Sequence, residues 1–320
     1  SLQTTFKEER SMIAMDKVVK RYKDVIALDH FSFRAGRNEI IGLLGPNGCG
    51  KTTAINCMLS LLKFDQGTIE LFGDTVSPNN NKIKRRIGIV PQELAIFDKL
   101  NVVENIDFYC GLYITNKAER KQLVDEAIEF VGLEKYRKFV PKQLSGGLKR
   151  RLNIACGIAH KPEILFLDEP TVAVDAQSRN FILEGVKKMK DRGTTVVYTT
   201  HYLEEAEDLC DSFVIMDNGR NVANGTLDEL QKSISTTESI TVKFISGDDA
   251  LTERLKQLPH VNQVVKTGDR YNIQFEKHHN NLANLIRFIE DHSLTYTEIA
   301  SEQPSLSSIF LELTGKELRD

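Results

Sequence analysis

One short stretch, Gly45-Pro46-Asn47-Gly48-Cys49-Gly50-Lys51-Thr52-Thr53, has the residue types and spacing needed to hold phosphate. Glycines let backbone N–H groups converge on an anion, and the helix start that follows adds positive potential. Lys51 can reach terminal phosphates, and the Thr52 hydroxyl can ligate Mg²⁺. A buried-looking strand, Ile40-Ile41-Gly42-Leu43-Leu44, precedes the loop and an apolar helical stretch follows it. A tight glycine turn with a surface lysine would not require that context. Cys49 reads as a packing residue. Its place beside a helix N-terminus and Lys51 nevertheless predicts a thiol shifted toward ionisation and reactive with maleimide in nucleotide-free protein.

Two further stretches could act on a bound phosphate. Ile164-Leu165-Phe166-Leu167 is an apolar strand ending in Asp168 and Glu169. The ends of parallel strands open onto the crevice where ligands bind. Asp168 there would hold a Mg²⁺ shell, and Glu169 would orient or deprotonate an attacking water. Alone, the pair could equally be a solvated acidic turn; beside the phosphate loop it reads as catalytic. Leu144-Ser145-Gly146-Gly147-Leu148 starts a helix, and a Ser-Gly-Gly start can bind an anion or simply be an N-cap. The basic run Lys149-Arg150-Arg151 reads as a solvated face.

Positioning these groups requires a frame, and the apolar runs supply one. Ile40–Leu44, Ile87–Val90, Ile164–Leu167, Thr194–Thr200 and Phe213–Met216 are short, β-branched and apolar throughout, the pattern of a parallel sheet covered on both faces. Lys17–Tyr22, Leu28–Phe33 and Thr68–Phe72 predict an antiparallel unit. From about 93 to 140 the apolar spacing turns helical, with Asn101 and Asn116 each three residues ahead of a Glu. Past residue 232 the order strand, helix, strand, strand, helix, strand predicts a small α+β ferredoxin-like module, with Gly268-Asp269 turning its central hairpin and a last helix after Ser305. The expected division is therefore 15–232 and 233–320.

Composition narrows the classes. Among 320 residues, 42 Lys and Arg face 45 Asp and Glu, for a formal charge of −3, and 41% of residues are hydrophobic. This is the profile of a globular chain without the basic excess of a general nucleic-acid binder. Stretches free of Asp, Glu, Lys and Arg run no longer than Ile40 to Gly50, too short to span a bilayer. The cysteines are scattered, without a C-x-x-C pair, which points to a reducing compartment with neither a disulfide frame nor zinc.

The motifs in this order resemble the nucleotide-binding subunit of an ABC transporter. They are most similar to those of exporters whose membrane-spanning partner is a separate polypeptide, a branch that includes drug-resistance pumps. The resemblance covers about residues 15 to 232. It implies that Tyr22 stacks on adenine, Gly45 to Thr53 holds ATP, and Gln92 links Mg²⁺ and water to the membrane partner. It further implies that Ser145, Gly146 and Gly147 belong to the signature motif, although Leu148 stands where Gln is commonest. Asp168 becomes the Walker B aspartate, Glu169 the catalytic glutamate, Asp175 the D-loop aspartate and His201 the switch histidine. Residues Val172-Ala173-Val174 depart from the familiar run before that aspartate. More weakly, the tail resembles the C-terminal extension of the same branch.

These similarities imply an α/β P-loop ATPase: a mostly parallel core sheet, an antiparallel β subdomain, a helical insert and the small C-terminal module. Its cofactors would be ATP and Mg²⁺. Its partners would be a transmembrane permease subunit and a second ATPase subunit, a homodimer with a heterodimer left open, and no nucleic acid. It would sit in the cytoplasm on the inner face of the membrane, with Phe97, Leu100 and Val102 as candidates for the coupling surface. The competing class is an ABC-type ATPase acting on nucleic acid or ribosomes, whose members carry paired cassettes or coiled-coil arms that this chain lacks.

Overall fold

The computed structural model describes residues 11–234, 236–245, 249–276 and 280–315. The described residues divide into two units, one reaching to Asn224 and one starting at Gly225.

In the first unit, β1 (Ile13–Tyr22) and β2 (Val25–Ala35) form an antiparallel hairpin. The chain then enters β3 (Ile40–Leu44) and α1 (Lys51–Met58). It returns through β4 (Gln66–Leu71) and the short β5 (Asp74–Thr75), giving an antiparallel sheet of order β2-β1-β4-β5. After the single-turn α2 (Asn81–Lys84) comes β6 (Ile87–Val90). The insert is built from α3 (Val102–Gly111) and α4 (Lys117–Phe130). Asn101 and Glu104 close a reciprocal capping box on α3, while Asn116 caps α4 by accepting from the amides of Ala118 and Glu119.

The rest of this unit alternates between helix and strand: α5 (Gly146–Ile158), β7 (Ile164–Asp168), α6 (Ala176–Asp191), β8 (Thr195–Thr199), α7 (Leu203–Leu209), β9 (Ser212–Asp217) and β10 (Arg220–Gly225). The central sheet has the order β10-β9-β3-β8-β7-β6. Its pairs from β9 through β6 are all parallel. Alternation along each strand feeds two cores. Phe166 and Val197 join Phe31, Phe33 and Ile55 on one face, whereas Leu165, Leu167 and Val196 join Ile106, Ile128 and Leu152 on the other. Burial on both faces is why these strands read as unbroken apolar runs.

The second unit opens with α8 (Leu227–Ser233). It continues β11 (Thr236–Phe244), α9 (Asp249–Lys256), β12 (Val261–Thr267), β13 (Arg270–Glu276), α10 (Asn281–Asp291), β14 (Tyr296–Glu302) and α11 (Leu306–Thr314). The sheet order β12-β13-β11-β14 is antiparallel throughout, as in a ferredoxin-like module. Ile240, Val242, Phe275 and Leu285 centre its own core. The division falls at Gly225, ahead of the 232 read from the sequence. Thr226 and Glu229 cap α8 reciprocally, Leu230 is buried, and Gln231 donates to the Pro304 carbonyl within the second unit. Among the described residues no helix is long and apolar enough to cross a membrane.

Candidate functional site

The phosphate loop joins the C-terminal end of β3 to α1, and its geometry requires glycine at two points. A Cβ on Gly45 would lie 2.4 Å from the Met216 carbonyl oxygen, and one on Gly50, at φ 116°, 2.5 Å from that of Ala27. Pro46 accepts from the Cys49 amide at 3.2 Å. Lys51 is buried and donates to the carbonyls of Gly45 at 2.7 Å and Pro46 at 3.2 Å. Asn47 and Gly48 lie along the same loop, with Thr52 and Thr53 in the first turn of α1. A buried ammonium held only by carbonyls, within converging amides at a helix start, suits the polyanionic tail of a nucleotide.

Cys49 departs from the expectation drawn for it. Burial is the largest influence on its thiol and raises the pKa, outweighing Lys51, which acts to lower it. The side chain is turned into the core, where its sulfur would sit 2.5 Å from a Cβ on Gly45. The expected reactive thiolate is replaced by a neutral packing group.

At the C-terminal end of β7, Thr199 of the adjacent β8 donates its hydroxyl to Asp168 Oδ1 at 2.6 Å. The Glu169 amide in turn donates to the Thr199 hydroxyl and carbonyl oxygens, at 3.0 and 3.1 Å. Glu169 is buried and has φ 47°, the left-handed region costly for a side chain of its kind. Its Oε2 accepts from Gln92 Nε2 at 3.1 Å and faces His201 Nδ1 at 3.4 Å. Three residues expected to be catalytic therefore meet at one carboxylate oxygen. Thr52, Asp168 and Gln92 offer the hard oxygen donors that Mg²⁺ prefers. Among the described residues no three or more His, Cys, Asp or Glu side chains cluster as a metal site.

A second group gathers at the N-terminus of α5. Ser145 caps the helix by accepting from Leu148, and both Ser145 and Gly146 are exposed. Gly147 is pressed against α6: a Cβ there would stand 2.0 Å from Ser178 Oγ and 2.9 Å from Asp175 Oδ2. Asp175 caps α6, and the Ser178 amide holds its carboxyl below the usual range. Tyr22 ends β1, 43% exposed as a residue, with Lys20 Nζ 5.0 Å from its ring centroid.

Arg150 links the two groups, and its role was not legible in the basic run. It is buried, not solvated, and its Nη1 donates to the carbonyls of Gln92 at 2.7 Å and Pro91 at 3.3 Å. Asn153, one turn on, donates to Pro91 and accepts from the Ala95 amide. Arg151 lies over the Phe181 ring, its Cζ 3.9 Å from the centroid. In the insert, Val102 lies in the core and cannot belong to a surface, whereas Leu94, Phe97, Phe108 and Leu112 are exposed. Phe97 packs on Phe108 and Tyr109, with centroids 4.8 and 5.9 Å apart.

Comparisons with known proteins agree with this arrangement. Residues 28–172 match the family described as ABC transporter, and residues 225–314 match the C-terminal domain of DrrA1-3-like ATP-binding proteins. The linearmycin resistance ATP-binding protein LnrL of Bacillus subtilis (strain 168) is 37% identical over 97% of this chain and 100% of its own length. The daunorubicin resistance ATP-binding protein DrrA3 of Streptomyces coeruleorubidus is 33% identical over 96% of this chain and 97% of its own. A dimeric structure of the ATP-binding cassette MJ0796 in a post-hydrolysis state, bound to ADP and Pi, superimposes with a TM-score of 0.62. It is 27% identical and covers 68% of this chain and 99% of its own. With a phosphate loop, a carboxylate-tipped strand and full-length relatives of this kind, the chain belongs to the ABC transporter family, among its ATP-binding subunits.

Proposed function

We propose that this chain binds and hydrolyses ATP to power export through a separate membrane-spanning subunit. The observation that carries the reading is the meeting of Gln92 and His201 on one oxygen of Glu169, at the end of the strand row that also presents Lys51. Relatives named for linearmycin resistance, daunorubicin resistance and Nod factor export supply the direction of transport.

Bound MgATP supplies the phosphoanhydride that is cut and the cation that neutralises the developing charge. The loop amides and Lys51 would hold the phosphates, and Thr52, Asp168 and Gln92 would hold the cation. Glu169 takes the proton of the attacking water, and His201 steadies the terminal phosphate. Tyr22 offers its exposed ring to the base, where stacking is worth about 0.5–1.5 kcal/mol. Two copies docking head to tail place Ser145, Gly146, Gly147 and Asp175 of one protomer against the phosphate loop of the other. The exposed patch of Leu94, Phe97, Phe108 and Leu112, next to Gln92, receives the membrane subunit at the cytoplasmic side.

Co-expression with the membrane subunit tests this. The tagged chain is expected to co-purify with that subunit, to hydrolyse ATP only with Mg²⁺ present, and to confer substrate efflux that Glu169→Gln abolishes. Efflux that survives Glu169→Gln would refute the reading.

A further inference from the structure

Tyr202 directly follows His201, and the two ring centroids lie 4.2 Å apart with planes inclined by 40°. The same Tyr202 ring carries a cation, with Arg179 Cζ 4.5 Å from its centroid. Arg179 stands one turn into α6, its amide bonded to the carbonyl of Asp175 at 2.9 Å. The Arg179 Nε is buried without a hydrogen-bond partner, as is Glu205 Oε2, and the two atoms are 3.9 Å apart. Glu205 is almost fully buried, its side chain 4% exposed. Its other oxygen accepts two hydroxyls, Thr171 Oγ1 at 2.9 Å and Tyr198 at 2.5 Å. Thr171 lies just past Glu169, and Tyr198 immediately precedes Thr199, which binds Asp168 and Glu169.

A guanidinium is weakly hydrated and flat, and it settles on an aromatic face more readily than an ammonium. Glu205 neutralises this one from a distance too long for a forked hydrogen bond, which leaves the plane of Arg179 on the ring. The ring, loaded on one side by Arg179, limits the rotamers open to its imidazole neighbour.

We propose that Tyr202 and Arg179 are positioning residues for His201. Arg179, anchored by Glu205, holds the Tyr202 ring, and the ring fixes the imidazole whose Nδ1 faces Glu169. Because Arg179 rides on the turn that Asp175 caps, the set of that turn is transmitted to His201. This inference rests on the reading of His201 as part of the hydrolytic centre.

The test uses the full chain, with steady-state hydrolysis and the affinity for a fluorescent ATP analogue measured separately. Tyr202→Ala and Arg179→Gln are each expected to lower kcat about threefold to tenfold, with affinity changed less than about twofold. Tyr202→Phe, which retains the ring, recovers the loss. In single-turnover assays, adding Tyr202→Ala to His201→Ala costs less than about twofold more, because the group it positions is gone. An unchanged kcat in Tyr202→Ala, or an equal loss in both backgrounds, overturns the proposal. Where Tyr202→Ala does not fold, Tyr202→Leu, which keeps apolar volume without a π face, enters the same cycle. Wild-type hydrolysis by His201→Ala would instead defeat the reading of His201 itself, and this inference with it. Impaired His201→Ala beside unimpaired Tyr202 variants defeats only the present one.

Discussion

Gln92 Nε2 donates to Glu169 Oε2 over 3.1 Å, from a loop that leaves the edge strand β6 to a carboxylate at the tip of β7. The bond takes up one of the acceptor sites of the Glu169 carboxylate and fixes its orientation. A shift of the loop after β6 would therefore reorient Glu169, and the exposed residues beyond Gln92 are where an outside partner could impose that shift.

Replacing the proposed base should separate binding from turnover. Glu169→Gln is expected to retain ATP affinity within about twofold and to lose turnover by about a hundredfold or more, the usual contribution of a general base. With hydrolysis blocked, the ATP-bound dimer accumulates and elutes earlier in size exclusion. A near-wild-type rate would remove Glu169 from the role.

Arg150 is expected to matter for rate more than for stability. Removing a buried cation relieves its desolvation, while the two carbonyls it served lose a charge-assisted donor worth about 1.5–3 kcal/mol. Arg150→Met should therefore fold, exchange the amides around Gln92 and Ala95 faster, and lower kcat about tenfold. Mass-resolved hydrogen exchange beside kinetics checks both parts; unchanged exchange there would dismiss the tether.

The buried thiols set an alkaline limit. Burial raises Cys57 and Cys110 to about 11, and shifts Cys49, Cys156 and Cys210 upward as well. A folded pKa above the unfolded one gives stability that is full below the unfolded value and lost as pH rises toward the folded one. The urea midpoint should accordingly fall between about pH 8.5, near the unfolded thiol pKa, and about pH 11, and Cys57→Ala should flatten that fall. At neutral pH Cys49 should resist maleimide even without nucleotide; rapid labelling there would mean that the sulfur is not seated in the core.

Where the chain is cut should matter. Ending it after Asn224 is expected to leave a soluble ATP-binding unit, since the site residues precede that point. Ending it after Lys232 should give a less soluble product, because α8 keeps Leu230 but loses α11 and Pro304. Equal solubility and equal unfolding midpoints would argue against that placement of α8.

The phosphate loop and the strand before Asp168 were legible because their signals are local: glycines where only glycine fits, and apolar residues on both faces. Arg150 was not, since its partners Pro91 and Gln92 are remote in sequence and nothing in Lys149-Arg150-Arg151 marks the middle residue as buried. Glu205 was hidden likewise among Glu204, Glu207 and Asp208. The insert's helices followed from periodicity, but Val102, expected beside Phe97 on the coupling surface, lies in the core, because periodicity does not say which face meets another helix. The start of α8 did leave a trace, the Thr226-to-Glu229 capping box ahead of Leu230, and the boundary near Gly225 could have been read from it.

The strand order also constrains synthesis. Strand β3, which carries the phosphate loop, pairs only with β8 and β9, both encoded far downstream. As the chain leaves the ribosome, β3 has no parallel neighbour until Thr195–Thr199 has emerged and inserted beside it. Such long-range pairing is slow to form. Nucleotide is therefore expected to bind only after the late central strand has been made, so an early nascent chain should gain no stability from it.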